Sequence, residues 1–191
     1  MATAEWLLFL PQLPSSPSSL RVHVWRRLRA AGALGLQHGV WVLPYTAEHE
    51  RTFRALVAAV TPQGGTGLIF VATALDPALP ADIVGGFQAE RAQDYAEFQG
   101  RCRDFLAEIE KETSSRNFAF AGLEENEQDL HKLTGWLARI RARDFFKGEQ
   151  AEQADSALAG CQRTLEIFAE AVYAEAGLTP GEEPGAEGRF A

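Results

Sequence analysis

The chain has 191 residues, 46% of them hydrophobic and 23% charged, with a formal net charge of -8. That length fits one generous domain or two small ones and needs neither metal nor disulfide to fold. Its two cysteines, Cys102 and Cys161, form no Cys-x-x-Cys pair, which excludes a disulfide framework and a zinc ribbon, and no segment reaches the ~18 apolar residues of a membrane span.

The run Trp6 to Leu10 follows Glu5 with no basic stretch before it, so it reads as a buried strand ended by Pro11, not a signal peptide. Pro11 to Ser19 is a Pro/Ser-rich loop, with Ser16 as N-cap and Pro17 at the first position of a helix. That helix runs to about Ala31 on the stripe Leu20, Val24, Leu28, and Gly32 ends it. Arg26 and Arg29 oppose the stripe, and Arg21 and Arg27 flank it. Ala33–Leu36 and Val40–Leu43 read as two short strands joined at Gln37-His38-Gly39 by a hairpin or a bulged bend. Thr46 caps a second helix with the stripe Phe53, Leu56, Val57, Val60. After the turn at Gln63–Gly67 comes a strand, Leu68–Ala72.

The order β-α-β-β-α-β is a ferredoxin-like pattern, so the fold class is α+β, with the sheet domain spanning residues 1–75. Residues 76–176 read as three long antiparallel helices. Their stripes are Val84, Phe87, Arg91, Tyr95, Phe98, Cys102, Phe105, Ile109; then Leu130, Leu133, Leu137, Ile140, Asp144; then Ala154, Leu158, Cys161, Leu165, Phe168, Val172. Both cysteines fall on stripes, as reduced, buried thiols of a cytoplasmic protein do. Between the first two helices, Phe118 and Phe120 should dock on something apolar. Residues 177–191 are Gly/Pro/Glu-rich, an acidic tail expected to be disordered.

Charge is uneven: residues 1–75 sum to +3 and residues 76–191 to -11. The basic part suits an anion or nucleic acid, with Arg26, Arg27 and Arg29 as phosphate contacts. The acidic part argues against a large DNA footprint. Ser16, Ser18, Ser19 and Arg21 share the start of one helix, where N–H groups, hydroxyls and a guanidinium suit a small oxyanion. As caps and a solvated face, the same residues would carry no function.

The glycine turn at Gln63–Gly67 lacks a following Lys-Ser/Thr and precedes a strand, so it is not a phosphate loop. Glu48, His49 and Glu50 are consecutive on a helix and point apart, so they do not converge on a metal. Glu127 and His131 share a helix face but read as a solvated pair. No catalytic constellation, metal or cofactor is expected, and the chain reads as non-enzymatic.

The stretch PSSPSSLRVHVWRRLRAAGALGLQHGVWVLPYTAEHE, with WLLFLPQLP before it, closely resembles the N-terminal domain of the ChrB family of chromate resistance proteins. Pro17, Ser18, Ser19, Arg21, Trp25, Arg26, Gly32, Gly39, Pro44 and Glu48 to Glu50 carry the likeness, which is specific over residues 5 to 75. It implies a cytoplasmic regulator of transcription that controls chromate efflux and meets DNA. Family members continue into a chromate-sensing module. With Ala191 as the last residue here, a separate sensing domain is the implied partner. A more distant similarity reaches PaaX-type repressors and ferredoxin-like CRISPR adaptation nucleases, and implies a homodimer. Where those nucleases carry a metal-binding Asp, this chain has Leu10 and Pro11, so nuclease activity is not expected. The alternatives are a degenerate nuclease-like protein and an interaction scaffold built on the long helices.

Overall fold

In the computed structural model, which describes residues 5–16 and 18–179, the first apolar run forms β1 (Trp6–Gln12). Pro11 does not end the strand. β3 (Trp41–Pro44) pairs with β1 only as far as Phe9 opposite Trp41, while β4 (Thr66–Ala72) follows it to Gln12 opposite Thr66. At Pro11 one edge of β1 is therefore open, and a missing N–H is tolerated there.

Helix α1 (Ser18–Ala30) buries Leu20, Val24 and Leu28, the stripe read from the sequence. The expected Pro17 at its first position lies outside the described residues. Gly32 ends the helix at a φ of 75°; its N–H bonds the Arg29 carbonyl while that of Ala33 bonds the Leu28 carbonyl, both at 3.0 Å. This crossed pair satisfies carbonyls the helix leaves open. The next strand, β2, is only Leu34–Gly35, shorter than Ala33–Leu36, because Gln37–Gly39 forms a turn of 3-10 helix before β3. Helix α2 (Ala47–Val60) starts at the Thr46 cap, whose hydroxyl accepts from the His49 N–H at 3.0 Å.

Among the described residues the architecture is α+β and mostly helical: one small four-stranded antiparallel sheet, in the order β2-β3-β1-β4, and five helices. Residues opposite one another across a ladder share a face. Leu7, Phe9 and Leu43 share one, where Phe9 meets Phe53 of α2 with ring centroids 5.1 Å apart. Trp6, Val42 and Leu34 share the other. The first turns of α3 (Leu79–Ser114) cover that side, with Phe87 stacked 6.3 Å from Trp6, and Phe145 and Phe146 join them. The first compact unit therefore reaches Arg91 and takes back Ala142–Lys147, so its boundary falls inside α3 and not at residue 75. Ile83, not Val84, is the buried residue at the start of α3, because these turns face the sheet.

The second unit holds the rest of α3, α4 (Phe120–Arg141) and α5 (Glu149–Glu175). Asn126 near the start of α4 bonds Glu112 near the end of α3, and Arg141 at the end of α4 pairs with Asp155 near the start of α5. Successive helices thus run in opposite directions. Most of the expected stripe residues are buried, among them Tyr95, Phe98, Leu137, Ile140, Leu165 and Phe168. Leu130 and Leu158 are only half-buried, and Asp144 lies beyond α4 in the returning segment. Phe118 docks on Phe168 and Phe120 on Tyr173, with centroids 6.0 and 5.3 Å apart. Of the expected tail, residues 180–191 lie outside the described residues.

Candidate functional site at the first helix

The lead-in to α1 is tied to the helix by Arg21. Its Nη1 donates to the Ser15 carbonyl at 2.8 Å and to the Pro14 carbonyl at 3.4 Å. Ser16, Ser18 and Ser19 stand exposed around that tie. The four candidate oxyanion residues are therefore brought to one end of one helix. The Arg21 Nη1 group already donates to backbone, which weakens its hold on an incoming anion.

Further along α1 the arginines divide. Arg26 and Arg27 are exposed, and Trp25 and Val22 are half-exposed beside them. Arg29 is tethered: its Nη1 lies 2.6 Å from Glu90 Oε1, and the other Glu90 oxygen accepts from Arg91 Nη2 at 3.2 Å. The Arg29 carbonyl accepts from Arg143 at 3.4 Å. An anion reaching Arg29 has to compete with Glu90, whereas Arg26 and Arg27 present their charge to solvent. Glu90 stands far from Arg29 in the sequence, so periodicity carries no sign of this pairing.

The Glu48-His49-Glu50 run is separated by its own bonds. His49 Nδ1 lies 2.7 Å from the Pro44 carbonyl, and its ring edge meets Phe145. Glu50 accepts from Arg54 at 2.7 Å, and that bond, with the guanidinium charge, holds its carboxyl below the usual value. Glu127 and His131 are both exposed on α4. Among the described residues no group of three or more His, Cys, Asp or Glu is arranged to hold a metal.

The cysteines face each other in the second unit, with Cys161 Sγ 3.6 Å from the Cys102 carbonyl. Burial, and then the neighbouring Cys161, push the Cys102 thiol up to about 12. Burial raises Cys161 as well. Neither is a thiolate at neutral pH, so neither is a nucleophile.

Sequence reasoning missed a groove of about 690 Å³ between α3 and α4, lined by Glu108, Glu112, Asn126 and Trp136 among others. Asn126 is buried there and donates to Glu112 Oε2 at 2.7 Å. Its signal was present: Leu123, Asn126, Leu130, Leu133 and Leu137 follow helical spacing, so a polar residue occupies an apolar register.

A family model described as Protein ChrB, N-terminal, matches residues 21–179, most of the chain. The chain belongs to the ChrB N-terminal family. Protein ChrB of Cupriavidus metallidurans (strain ATCC 43123 / DSM 2839 / NBRC 102507 / CH34) is 25% identical over 189 residues, covering 97% of this chain and 51% of that protein. This ChrB N-terminal chain thus spans about half the length of the curated relative it matches. The family match runs through both compact units, so the helices belong to the ChrB N-terminal region as much as the sheet does. Among the described residues, no helix is long and apolar enough to cross a membrane.

Proposed function

We propose that this chain is a cytoplasmic, non-enzymatic regulatory protein of chromate resistance that contacts DNA through α1, works as a homodimer and takes its chromate signal from a separate sensing domain. The observation that carries the reading is the exposed pair Arg26 and Arg27 beside Trp25 on α1, in a chain of the ChrB N-terminal family. Exposed guanidiniums displace counterions from phosphate, and an exposed indole adds a stacking surface. Arg29 joins only when Glu90 releases it. We read the sheet as ferredoxin-like, a reading supported by the strand order β4-β1-β3-β2 with all neighbours antiparallel. A nuclease role is disfavoured because Leu10 pairs opposite Leu68 in the sheet where nuclease relatives carry a carboxylate.

The oxyanion reading of the α1 start is the weaker part. Arg21 serves the loop carbonyls, so sensing is assigned to the separate domain. The test is fluorescence anisotropy of the chain with duplex DNA from upstream of its own gene. Binding that weakens steeply with salt is expected. Absence of binding at low salt, with every upstream duplex tried, overturns the reading.

A further inference from the structure

The two edges of the sheet differ. The β2 edge is two residues long and runs at once into a 3-10 turn, one of the ways proteins blunt an edge. The β4 edge is seven residues long, and among the described residues its only ladder partner is β1. It carries no proline and no charge: between Arg54 and Asp76 there is no charged residue at all. Leu68, Phe70 and Val71 are 59%, 48% and 52% exposed. Long, uncharged, apolar edges template strand pairing.

We infer that β4 is the interface with a second copy of this chain, the two strands pairing antiparallel about Ile69 to give one eight-stranded sheet. A two-fold axis through the middle of Thr66–Ala72 sets Ile69 against Ile69 and Leu68 against Phe70. On each copy Leu10 lies opposite Leu68, and Leu8 opposite Phe70. The pairing therefore builds a continuous apolar row across the junction: Leu10, Leu68, then Phe70 and Leu8 of the other copy. A second row runs the opposite way. The facing position of Val71 is Gly67, which has no side chain to collide with it. Neither strand brings a charged side chain to the junction. The open edge, its exposed side chains and the half-buried Leu8 and Leu10 offer roughly 500 Å² per copy, or about 1,000 Å² for the pair, the lower bound for a specific interface. This assignment rests on the homodimer in the preceding reading and not on its DNA contacts.

Sedimentation velocity of the full chain at about 50 µM is expected to give a dimer, since an interface near the lower size bound holds at micromolar concentration. Leu68→Lys with Phe70→Lys is expected to give a monomer whose thermal melt matches that of the wild type diluted until it is monomeric, because both side chains are about half-exposed in the single copy. A monomeric wild type overturns the inference, as does a dimer that survives the double substitution. An independent readout is cysteine crosslinking, for which the two buried native thiols are unsuited. Ile69→Cys on the axis is expected to give an oxidised dimer, and Thr66→Cys, which faces Ala72 of the other copy, is not. Crosslinking by both or by neither overturns the register. Absence of DNA binding by an intact dimer would sink the DNA contacts of the preceding reading alone; a dimer that survives the double substitution at β4 would sink this inference alone.

Discussion

Gly32→Ala and Gly39→Ala separate backbone strain from crowding at the end of α1. Both glycines hold positive φ, 75° and 80°. A Cβ on Gly39 meets nothing within 4 Å, whereas one on Gly32 stands 2.9 Å from Cβ of Arg143 and 3.2 Å from Cζ of Phe145. Left-handed backbone costs an alanine about 1 kcal/mol more than a glycine, at either site. Crowding at Gly32 adds about 2 kcal/mol, because Cβ of Arg143 is fixed to the backbone and has no rotamer by which to leave. Gly39→Ala should therefore cost about 1 kcal/mol and Gly32→Ala about 3 kcal/mol. For a chain of this size that is a fall in Tm of roughly 3 °C against roughly 9 °C. Thermal and urea melts followed by far-UV circular dichroism measure both. Equal losses would show that Arg143 and Phe145 yield freely, and would refute the crowding assigned to Gly32.

Cys102 and Cys161 should react with a thiol reagent at neutral pH only as fast as the second unit opens, and adding denaturant should release both together. Their raised values also tie stability to pH: the contribution is complete below the ordinary thiol value of 9.0 and is lost as pH rises towards about 12, because unfolded thiols ionise first. Cys102→Ala with Cys161→Ala should flatten that alkaline loss in urea melts. Arg21→Ala should lower Tm by roughly 2 °C through the two exposed loop bonds, and isothermal titration with chromate or sulfate should give the same small heat before and after. A large anion heat that vanishes in the variant would restore the oxyanion site. Glu90→Gln releases Arg29, so it should strengthen DNA binding several-fold at low salt and steepen the slope of log K against log salt by about 0.9.

The stripe of α1, its stop at Gly32 and the Thr46 cap of α2 were legible because each depends on residues within a turn or two. Features that depend on a distant partner were not. Pro11 looked like a strand end because its tolerance is decided by where β3 stops. The stripe of α3 shifts between Val84 and Ile83 because its first turns face a sheet and its later ones face helices. From the sequence Arg21 reads as an anion ligand and Arg26, Arg27 and Arg29 as phosphate contacts, yet Arg21 serves a loop and Arg29 serves Glu90, leaving Arg26 and Arg27 exposed. The charge of that candidate site was legible in the sequence; its division among partners was not.

The most direct test of the regulatory reading is DNA binding by the full chain carrying Arg26→Glu and Arg27→Glu, measured by fluorescence anisotropy across a salt series. Both side chains are exposed and the thermal melt should not move. Wild type should bind with a slope of log K against log salt of about -2 per copy, as two phosphate contacts require, and the double variant should not bind at low salt. Equal affinity and an equal slope in the two proteins would contradict the account and take α1 out of any DNA interface.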